Sequence, residues 1–136
     1  MKNILVMDDD PKLAAALAIR LEAAGYGVST ARDGEEGLKL ALCSRPDLII
    51  MDVWMPGAVG FLVAERLRSL GFADVPVIFL TAAKKERLWN IAQEVEAAAF
   101  FEKPYQAGPL LKCISKTLHA RARTEDASQH QQRSIL

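Results

Sequence analysis

The sequence predicts an α/β fold in which a doubly wound, five-stranded parallel sheet carries helices on both faces. The first observation is that short apolar runs alternate strictly with helix-period segments along the chain. Such alternation favours parallel strands joined by right-handed crossovers. The second is that each run is apolar almost throughout, which is typical of strands covered on both faces. The third is a hydrophobic content of 51% over 136 residues, enough for one domain with a substantial core.

Five predicted strands and five predicted helices follow one another in order. The strands are 4–7, 27–30, 48–51, 75–80 and 98–101. The helices are 11–24, 35–44, 60–70, 84–95 and 110–118. Within the helices, apolar residues recur three or four positions apart, so one side of each helix is predicted to face the sheet.

Residues that start or stop helices support these limits. Asp10 is predicted to be the N-cap of the first helix, with Pro11 at its first position. Gly25 and Gly71 are predicted to end the first and third helices.

The spacing of apolar residues also predicts which side chains of two helices are buried. In the second helix the inward residues are Leu38, Ala41 and Leu42. In the third helix they are Leu62, Val63, Leu67 and Leu70.

The composition changes near His119. Residues 1–119 are predicted to form the domain, and residues 120–136 a polar and disordered tail or linker.

Bulk composition excludes several classes of function. Lys+Arg and Asp+Glu both number 17, and this balance argues against nucleic-acid binding by bulk charge. Cys43 and Cys113 lie in separate segments without a CxxC pair, so reduced thiols are expected rather than a zinc site. No apolar stretch reaches membrane-spanning length, and the segment before the first strand does not read as a signal peptide, so none is expected. We therefore expect a cytoplasmic protein.

Chemically active side chains follow the ends of the predicted strands. Asp8 and Asp9 follow the first strand, Asp52 the third and Thr81 the fourth, and Lys103 comes just after the fifth. The carboxyl ends of parallel strands lie at one edge of the sheet, where ligands bind in this class of fold. Clustered carboxylates would repel one another unless a cation lies among them, which predicts a Mg²⁺ site, or a Mn²⁺ site, beside a reactive aspartate.

This set of side chains is suited to phosphoryl transfer. Asp52 is a plausible nucleophile toward phosphorus and would form an acyl phosphate. The hydroxyl of Thr81 and the ammonium of Lys103 are suited to bind phosphoryl oxygens. Asp10 is better explained as a helix cap than as a metal ligand.

The chain resembles the receiver domain of two-component response regulators, the CheY-like superfamily, over about residues 2–118. The motifs are Asp8-Asp9, the segment from Asp52 to Gly60, Thr81-Ala82 preceded by Pro-Val-Ile-Phe-Leu, and Lys103-Pro104 followed by Tyr105. Each motif alone is weak, but all four in order at this spacing are specific. The resemblance implies a flavodoxin-like sheet with strand order 2-1-3-4-5.

The resemblance also implies roles for individual residues. Asp52 would accept a phosphoryl group from a sensor histidine kinase or a histidine phosphotransfer protein. Asp9 would ligate Mg²⁺ directly, with Asp8 mostly through water and the backbone carbonyl of Trp54 as a further ligand. Thr81 and Lys103 would contact the phosphoryl group.

Further implied features concern switching and partners. Thr81 and Phe100 match the family's switch pair, and the Lys103-Pro104 bond is expected to be cis. A face made by the fourth helix, fifth strand and fifth helix would bind a downstream protein or a second copy. Tyr105 is expected to contribute to that face. Trp89, which helix spacing places on the outer side of the fourth helix, is expected to contribute as well, the alternative being a partly buried packing residue. We expect no nucleic-acid binding by this domain and no membrane partner.

The sequence departs from the family pattern at several positions. Val59 replaces the usual acidic residue before Gly60, without an expected effect on the chemistry. Glu96 lies where glycine is common, so either a strained left-handed residue or a different helix ending is expected. Trp54 and Ala83 occupy positions that tune hydrolysis in the family, and they predict slow loss of the phosphoryl group.

Two alternative functions remain open. An aspartyl-phosphate phosphatase or phosphotransferase would need a second acid two residues after the nucleophile, where Trp54 lies. A phosphate-independent interaction module usually lacks the aspartate, threonine or lysine, and all three are present. We therefore expect a phosphoacceptor rather than an enzyme, apart from catalysis of its own phosphorylation and dephosphorylation.

Overall fold

The computed structural model describes residues 1–55, 58–82 and 96–135, with side chains described as far as residue 123 except at Ala58. Its main sheet has five parallel strands in the order β2-β1-β3-β4-β5, which confirms the predicted fold and strand order. The strands are β1 (Asn3–Met7), β2 (Gly27–Ala31), β3 (Leu48–Asp52), β4 (Val77–Thr81) and β5 (Ala99–Glu102). A short antiparallel pair, Trp54–Met55 and Ala58–Val59, follows β3.

Among the described residues, three helices follow the first three strands and a fourth follows the last strand. They are α1 (Pro11–Ala23), α2 (Gly34–Ser44), α3 (Gly60–Leu67) and a C-terminal helix (Ala107–Ile135). Asp10 caps α1 as predicted, because its carboxylate accepts hydrogen bonds from the backbone N–H groups of Lys12 and Leu13 at 3.0 and 3.3 Å. The predicted fourth helix, 84–95, lies outside the described residues.

Each face of the sheet has its own hydrophobic core, because side chains alternate along every strand. Leu5 and Met7 of β1 lie in the cluster that packs under α2 and α3. Ile4 and Val6 lie in the other cluster, which packs under α1 and the C-terminal helix. All four side chains are buried, and full burial of such a side chain contributes roughly 1.5–3 kcal/mol. The two cores hold the strand ends in fixed register.

The burial predicted for α2 and α3 was wrong at three leucines. Leu42, Leu62 and Leu70 are exposed, whereas Leu67 and Phe72 are buried. A five-residue π-helical turn, Arg68–Phe72, follows α3 and contains Gly71 at a φ of 102°. After Leu67 the next buried side chain is therefore Phe72, five residues or one π turn later, and Leu70 stays exposed.

The C-terminal helix is longer than predicted. It continues to Ile135, instead of ending near Leu118 and giving way to a disordered tail. Arg121 anchors the first turn of the added part, because its Nη1 atom donates to the backbone carbonyl of Asp47 at 2.6 Å. The domain boundary at residue 119 stays a prediction. Neither this helix nor any other in the described ranges is long and apolar enough to cross a membrane.

Glu96 adopts the strained left-handed conformation, which was one of the two outcomes predicted for this position. Its φ is 51°, in the left-handed region that favours glycine. Its carboxylate accepts a hydrogen bond from Nη2 of Arg68 at 3.2 Å. This contact joins the segment before β5 to the turn after α3.

Candidate functional site

The register of the sheet brings the predicted site residues to one edge. Met7 pairs with Met51 across β1 and β3, so Asp8 and Asp52 are the next residues at the same level. Asp52 pairs with Leu80 across β3 and β4, which places Thr81 one position further along. The backbone N–H of Lys103 donates to the carbonyl of Thr81 at 2.7 Å. The site is therefore built from four strand ends.

Three carboxylates cluster at this edge. Asp8, Asp9 and Asp52 each offer an oxygen, and the three oxygens lie within 4.8 Å of one another. Asp8 and Asp52 are buried, with 1% and 6% of their surface exposed, whereas Asp9 is exposed. The buried carboxylates are held at the sheet, and the exposed one lies where a ligand would arrive from solvent.

Lys103 joins the two buried carboxylates. Its Nζ atom donates to Oδ2 of Asp8 at 2.9 Å and to Oδ2 of Asp52 at 2.7 Å. The Lys103-Pro104 peptide bond is cis, as predicted. The ammonium therefore lies between the carboxylates and partly offsets their repulsion.

Burial and charge pairing act in opposite directions on these groups. Burial raises the pKa of Asp8 above its usual value, against the lowering effects of the Asp10 N–H and of Lys103. Burial is also the largest single influence on Lys103 and lowers its pKa, but hydrogen bonds and attraction to Asp52 and Asp8 outweigh it. The pKa of Lys103 is therefore raised, and the lysine stays charged beside the carboxylates.

Backbone groups fix the orientation of both buried carboxylates. The N–H of Asp10 donates to Oδ1 of Asp8 at 2.9 Å, and the N–H of Trp54 donates to Oδ1 of Asp52 at 3.2 Å. In each case the Oδ2 atom faces Lys103. The aspartates are thus held from two sides before any ligand is bound.

Gly60 supports the loop after Asp52 in a way that sequence reasoning missed. Its N–H donates to the carbonyl of Val53 at 2.6 Å, and a Cβ at Gly60 would collide with the carbonyl oxygen of Asp52. The close packing on Asp52 depends on how α3 enters the fold, which residue spacing does not reveal.

The predicted switch residues lie on neighbouring strands. Thr81 is fully buried at the end of β4. Phe100 of β5 is partly buried, and its ring stacks on Phe79 with a centroid distance of 5.2 Å. Phe61 of α3 lies 6.1 Å from Phe100, centroid to centroid. Phe100 therefore packs into the core on the α2–α3 side.

The predicted partner residues can be placed only in part. Tyr105 is partly buried beside the core under α1, and burial followed by the charge of Asp8 raises its pKa. Trp89 lies outside the described residues, as does Ala83. Trp54, two residues after Asp52, has an exposed side chain, and the metal-binding role of its backbone carbonyl stays a prediction.

The residues present fit a hard divalent cation. All three clustered groups are carboxylates, the donors that Mg²⁺ prefers in proteins, and the exposed Asp9 leaves room for water ligands. One lysine does not neutralise three carboxylates, so the site retains negative charge for a cation. Asp8, Asp9 and Asp52 are the residues that would hold it.

The chain matches known proteins along most of its length. The family model for the response regulator receiver domain matches residues 4–115. The chain is 36% identical to the DNA-binding dual master transcriptional regulator RpaA of Synechocystis sp., over 96% of this chain and 54% of that protein. It is 39% identical to the alkaline phosphatase synthesis transcriptional regulatory protein PhoP of Bacillus subtilis, over 76% of this chain and 43% of that one. It thus spans about half the length of these curated relatives.

Solved structures agree with the sequence relatives. The chemotaxis response regulator CheY4 of Vibrio cholerae superposes with a TM-score of 0.80 at 31% identity, over 86% of this chain and 98% of that one. The response regulator TrrA of Thermotoga maritima, solved in complex with Mg²⁺–BeF, gives a TM-score of 0.77 at 34% identity, over 86% and 99%. With the family match and the carboxyl-edge site, these likenesses show that the chain belongs to the response regulator receiver domain family of two-component systems.

Proposed function

We propose that Asp52 is the phosphoacceptor of a phosphorelay, so that the protein acts as an Mg²⁺-dependent phosphorylation switch. The observation that carries this proposal is the Lys103 bridge between Asp52 and Asp8, beside the three-carboxylate cluster. It holds a buried carboxylate within reach of a fixed positive charge. Binding of magnesium beryllofluoride by the related TrrA supports the same use of the site.

The residues of this chain would carry out the transfer in one displacement. An oxygen of Asp52 forms a bond to phosphorus while the bond from phosphorus to the donor breaks. The electron pair of the broken bond leaves with the donor group, a histidine ring or an acetate. Lys103 would turn from Asp8 and Asp52 toward the phosphoryl oxygens and bind their charge. Bound Mg²⁺, or Mn²⁺, would supply further charge neutralisation at those oxygens.

Switching would follow from the new charge at Asp52. A phosphoryl group adds acceptor oxygens that the hydroxyl of Thr81 can bind. Thr81 would move toward them, and Phe100 would turn into the space that it leaves. Phe100 now stacks on Phe79, so this rotation would break that aromatic contact. The two arrangements differ in their contacts with the phosphoryl group, as a population shift requires.

The phosphodonor is proposed to be a sensor histidine kinase or a histidine phosphotransfer protein. The family membership implies a kinase of a two-component system. Downstream, the face formed by the fourth helix, β5 and the C-terminal helix, including Trp89 and Tyr105, is proposed to bind the partner. The working compartment is proposed to be the cytoplasm, with no direct nucleic-acid contact by this domain.

Loss of the phosphoryl group is proposed to be slow, with no separate substrate turned over. Trp54 lies two residues after Asp52, its backbone N–H donates to the Asp52 carboxylate, and its bulky, exposed side chain is proposed to limit the approach of water. A phosphoprotein lifetime of many minutes is expected in a time course of intact mass. A lifetime of seconds would contradict this part of the proposal.

Intact mass tests the function. The protein is incubated with acetyl phosphate and Mg²⁺, and a single addition of about 80 Da is expected. The addition should be absent in Asp52→Asn and after chelation of Mg²⁺. Failure with both acetyl phosphate and a phosphorylated histidine phosphotransfer protein would instead favour a phosphate-independent interaction module.

A further inference from the structure

Three aromatic rings form one packed group in the core on the α2–α3 side of the sheet. Phe79 of β4 is fully buried, and the ring of Phe100 stacks on it at a centroid distance of 5.2 Å and an interplanar angle of 24°. The ring of Phe61, the second residue of α3, meets Phe79 edge-on at 4.9 Å and 68°. Phe61 and Phe100 also approach each other, at 6.1 Å and 56°. Phe100 therefore lies against two rings, one from the neighbouring strand and one from α3.

The contact between Phe61 and Phe100 is an attractive one. Aromatic pairs prefer tilted, edge-on or offset stacked arrangements with centroids about 4.5–7 Å apart, and all three pairs fall in this range. Phe61 is buried, with 7% of its surface exposed, so water does not compete for its ring. The position of Phe100 thus depends on α3 as well as on β4.

The place of Phe61 is set by the backbone of the phosphoacceptor loop. Gly60, the residue before it, donates its N–H to the carbonyl of Val53 at 2.6 Å. A Cβ on Gly60 would collide with the backbone carbonyl of Asp52, so the first turn of α3 lies directly against the Asp52 backbone. Phe61 therefore connects that backbone to Phe100 by a path separate from the end of β4.

We propose that Phe61 is a positioning residue of the switch, which holds Phe100 in its stacked position on Phe79. This role rests on the proposed function of Asp52 and deepens it. Rotation of Phe100 toward Thr81 breaks the ring contact with Phe61 as well as the stack. Because the contact with Phe61 belongs to one arrangement alone, it lowers the population of the switched arrangement. It thereby lowers the apparent affinity for any ligand that selects the switched arrangement.

The test is the affinity of the full chain for magnesium beryllofluoride, a mimic of the phosphoryl group, measured by calorimetry at saturating Mg²⁺. Phe61→Leu keeps an apolar side chain but removes the ring. It should tighten binding about 2–10-fold, the factor that corresponds to one aromatic contact. A residue that only supports the fold would leave this affinity unchanged or weaken it, because a general loss of packing does not favour the liganded arrangement.

Phe72→Leu is the matched control. Phe72 is buried in the same core, at the far end of the π-helical turn that follows α3. The guanidinium carbon of Arg45 lies over its ring, 5.6 Å from the centroid. Both leucine variants should lower the free energy of unfolding in urea, but only Phe61→Leu should bind beryllofluoride more tightly.

A double-mutant cycle tests whether Phe61 acts through Phe100. In the Phe100→Leu background, the further change Phe61→Leu should leave the affinity for beryllofluoride unchanged, because the ring that Phe61 holds is gone. Circular dichroism verifies the fold of each variant, and Phe61→Met replaces Phe61→Leu if the latter is misfolded.

The outcomes separate this role from the proposed function. If the wild type binds beryllofluoride and Phe61→Leu binds it equally or more weakly, the role of Phe61 is overturned while the function of Asp52 stands. The same tightening in Phe72→Leu, or in the Phe100→Leu background, would also overturn it. Absence of binding by the wild type would contradict the proposed function, and the role of Phe61 with it.

Discussion

Both edges of the sheet hold an aspartate that a basic side chain contacts, but their charge balance differs. At the amino edge, Asp47 accepts a hydrogen bond from the N–H of Asn3 at 2.8 Å, and Arg121 donates to its backbone carbonyl at 2.6 Å. Arg121 also lies 3.9 Å from a carboxylate oxygen of Asp47. One guanidinium thus accompanies one carboxylate.

At the carboxyl edge, three carboxylates cluster beside one ammonium. Lys103 contacts Asp8 and Asp52, while Asp9 adds a third negative charge. The amino edge uses its charges to fix the C-terminal helix to the sheet. The carboxyl edge keeps an excess of negative charge that a cation can offset. The difference indicates that charge imbalance, rather than the presence of an ion pair, marks the chemically active edge.

The largest effect is expected on phosphorylation, when Asp52 of the carboxyl edge and Asp47 of the amino edge are each changed to asparagine. Asp52→Asn should abolish phosphorylation by acetyl phosphate, because an amide oxygen is a poor nucleophile. Asp47→Asn, its counterpart at the other edge, should be phosphorylated at the wild-type rate. Intact mass over time measures both. Equal rates in the two variants would remove the distinction between the edges.

Removal of the Lys103 ammonium should destabilise the protein by about 2–3 kcal/mol, since two buried carboxylates are then left without their shared cation. Urea unfolding of Lys103→Met measures this change. Saturating Mg²⁺ should restore more stability in Lys103→Met than it adds to the wild type. The control Lys112→Met changes an exposed lysine of the C-terminal helix and should be nearly neutral. If Mg²⁺ stabilised Lys103→Met and the wild type by the same amount, the idea that Mg²⁺ and Lys103 neutralise the same carboxylates would be contradicted.

A methyl group at Gly60 should disturb the carboxyl edge alone. Gly60→Ala is expected to cost about 1–3 kcal/mol, because its Cβ meets the carbonyl of Asp52, and to slow phosphorylation. Gly108→Ala is the matched control, since a Cβ there meets nothing within 4 Å. The control should be neutral or stabilising by up to about 1 kcal/mol. Unchanged phosphorylation of Gly60→Ala would show that the Asp52 loop tolerates displacement.

The smallest expected effect is at the amino edge. Arg121→Ala should lower the free energy of unfolding by about 1–2 kcal/mol, because it removes the hydrogen bond to the carbonyl of Asp47. Its phosphorylation rate should stay at the wild-type value. Arg123→Ala serves as the control, because Arg123 is exposed and lies about half a helical turn after Arg121. A slower phosphorylation of Arg121→Ala would mean that the two edges are coupled.

Much of this comparison could be predicted from the sequence, because parallel strands end together. The strand-helix alternation predicted the parallel sheet, and the family resemblance implied its strand order. Residues that follow strand ends were predicted to meet, as Asp8, Asp52 and Lys103 do. The cap at Asp10 is a local interaction and was also predictable.

Other features depend on packing that residue spacing does not encode. A π-helical turn breaks the 3.6-residue period, so Leu70 could not be recognised as exposed. The contact of Gly60 with the Asp52 carbonyl depends on the path of α3. The amino-edge contact of Arg121 required the C-terminal helix to continue through a polar segment, where composition predicted disorder.

The most direct measurement is to locate the phosphoryl group by chemical trapping. Wild-type protein is phosphorylated with acetyl phosphate and Mg²⁺ and reduced with borohydride, which converts an aspartyl phosphate to homoserine. Peptide mass spectrometry then reads the modified position. The account predicts homoserine at position 52 alone. Homoserine at Asp47, Asp8 or Asp9 would contradict the assignment of the chemistry to Asp52 at the carboxyl edge.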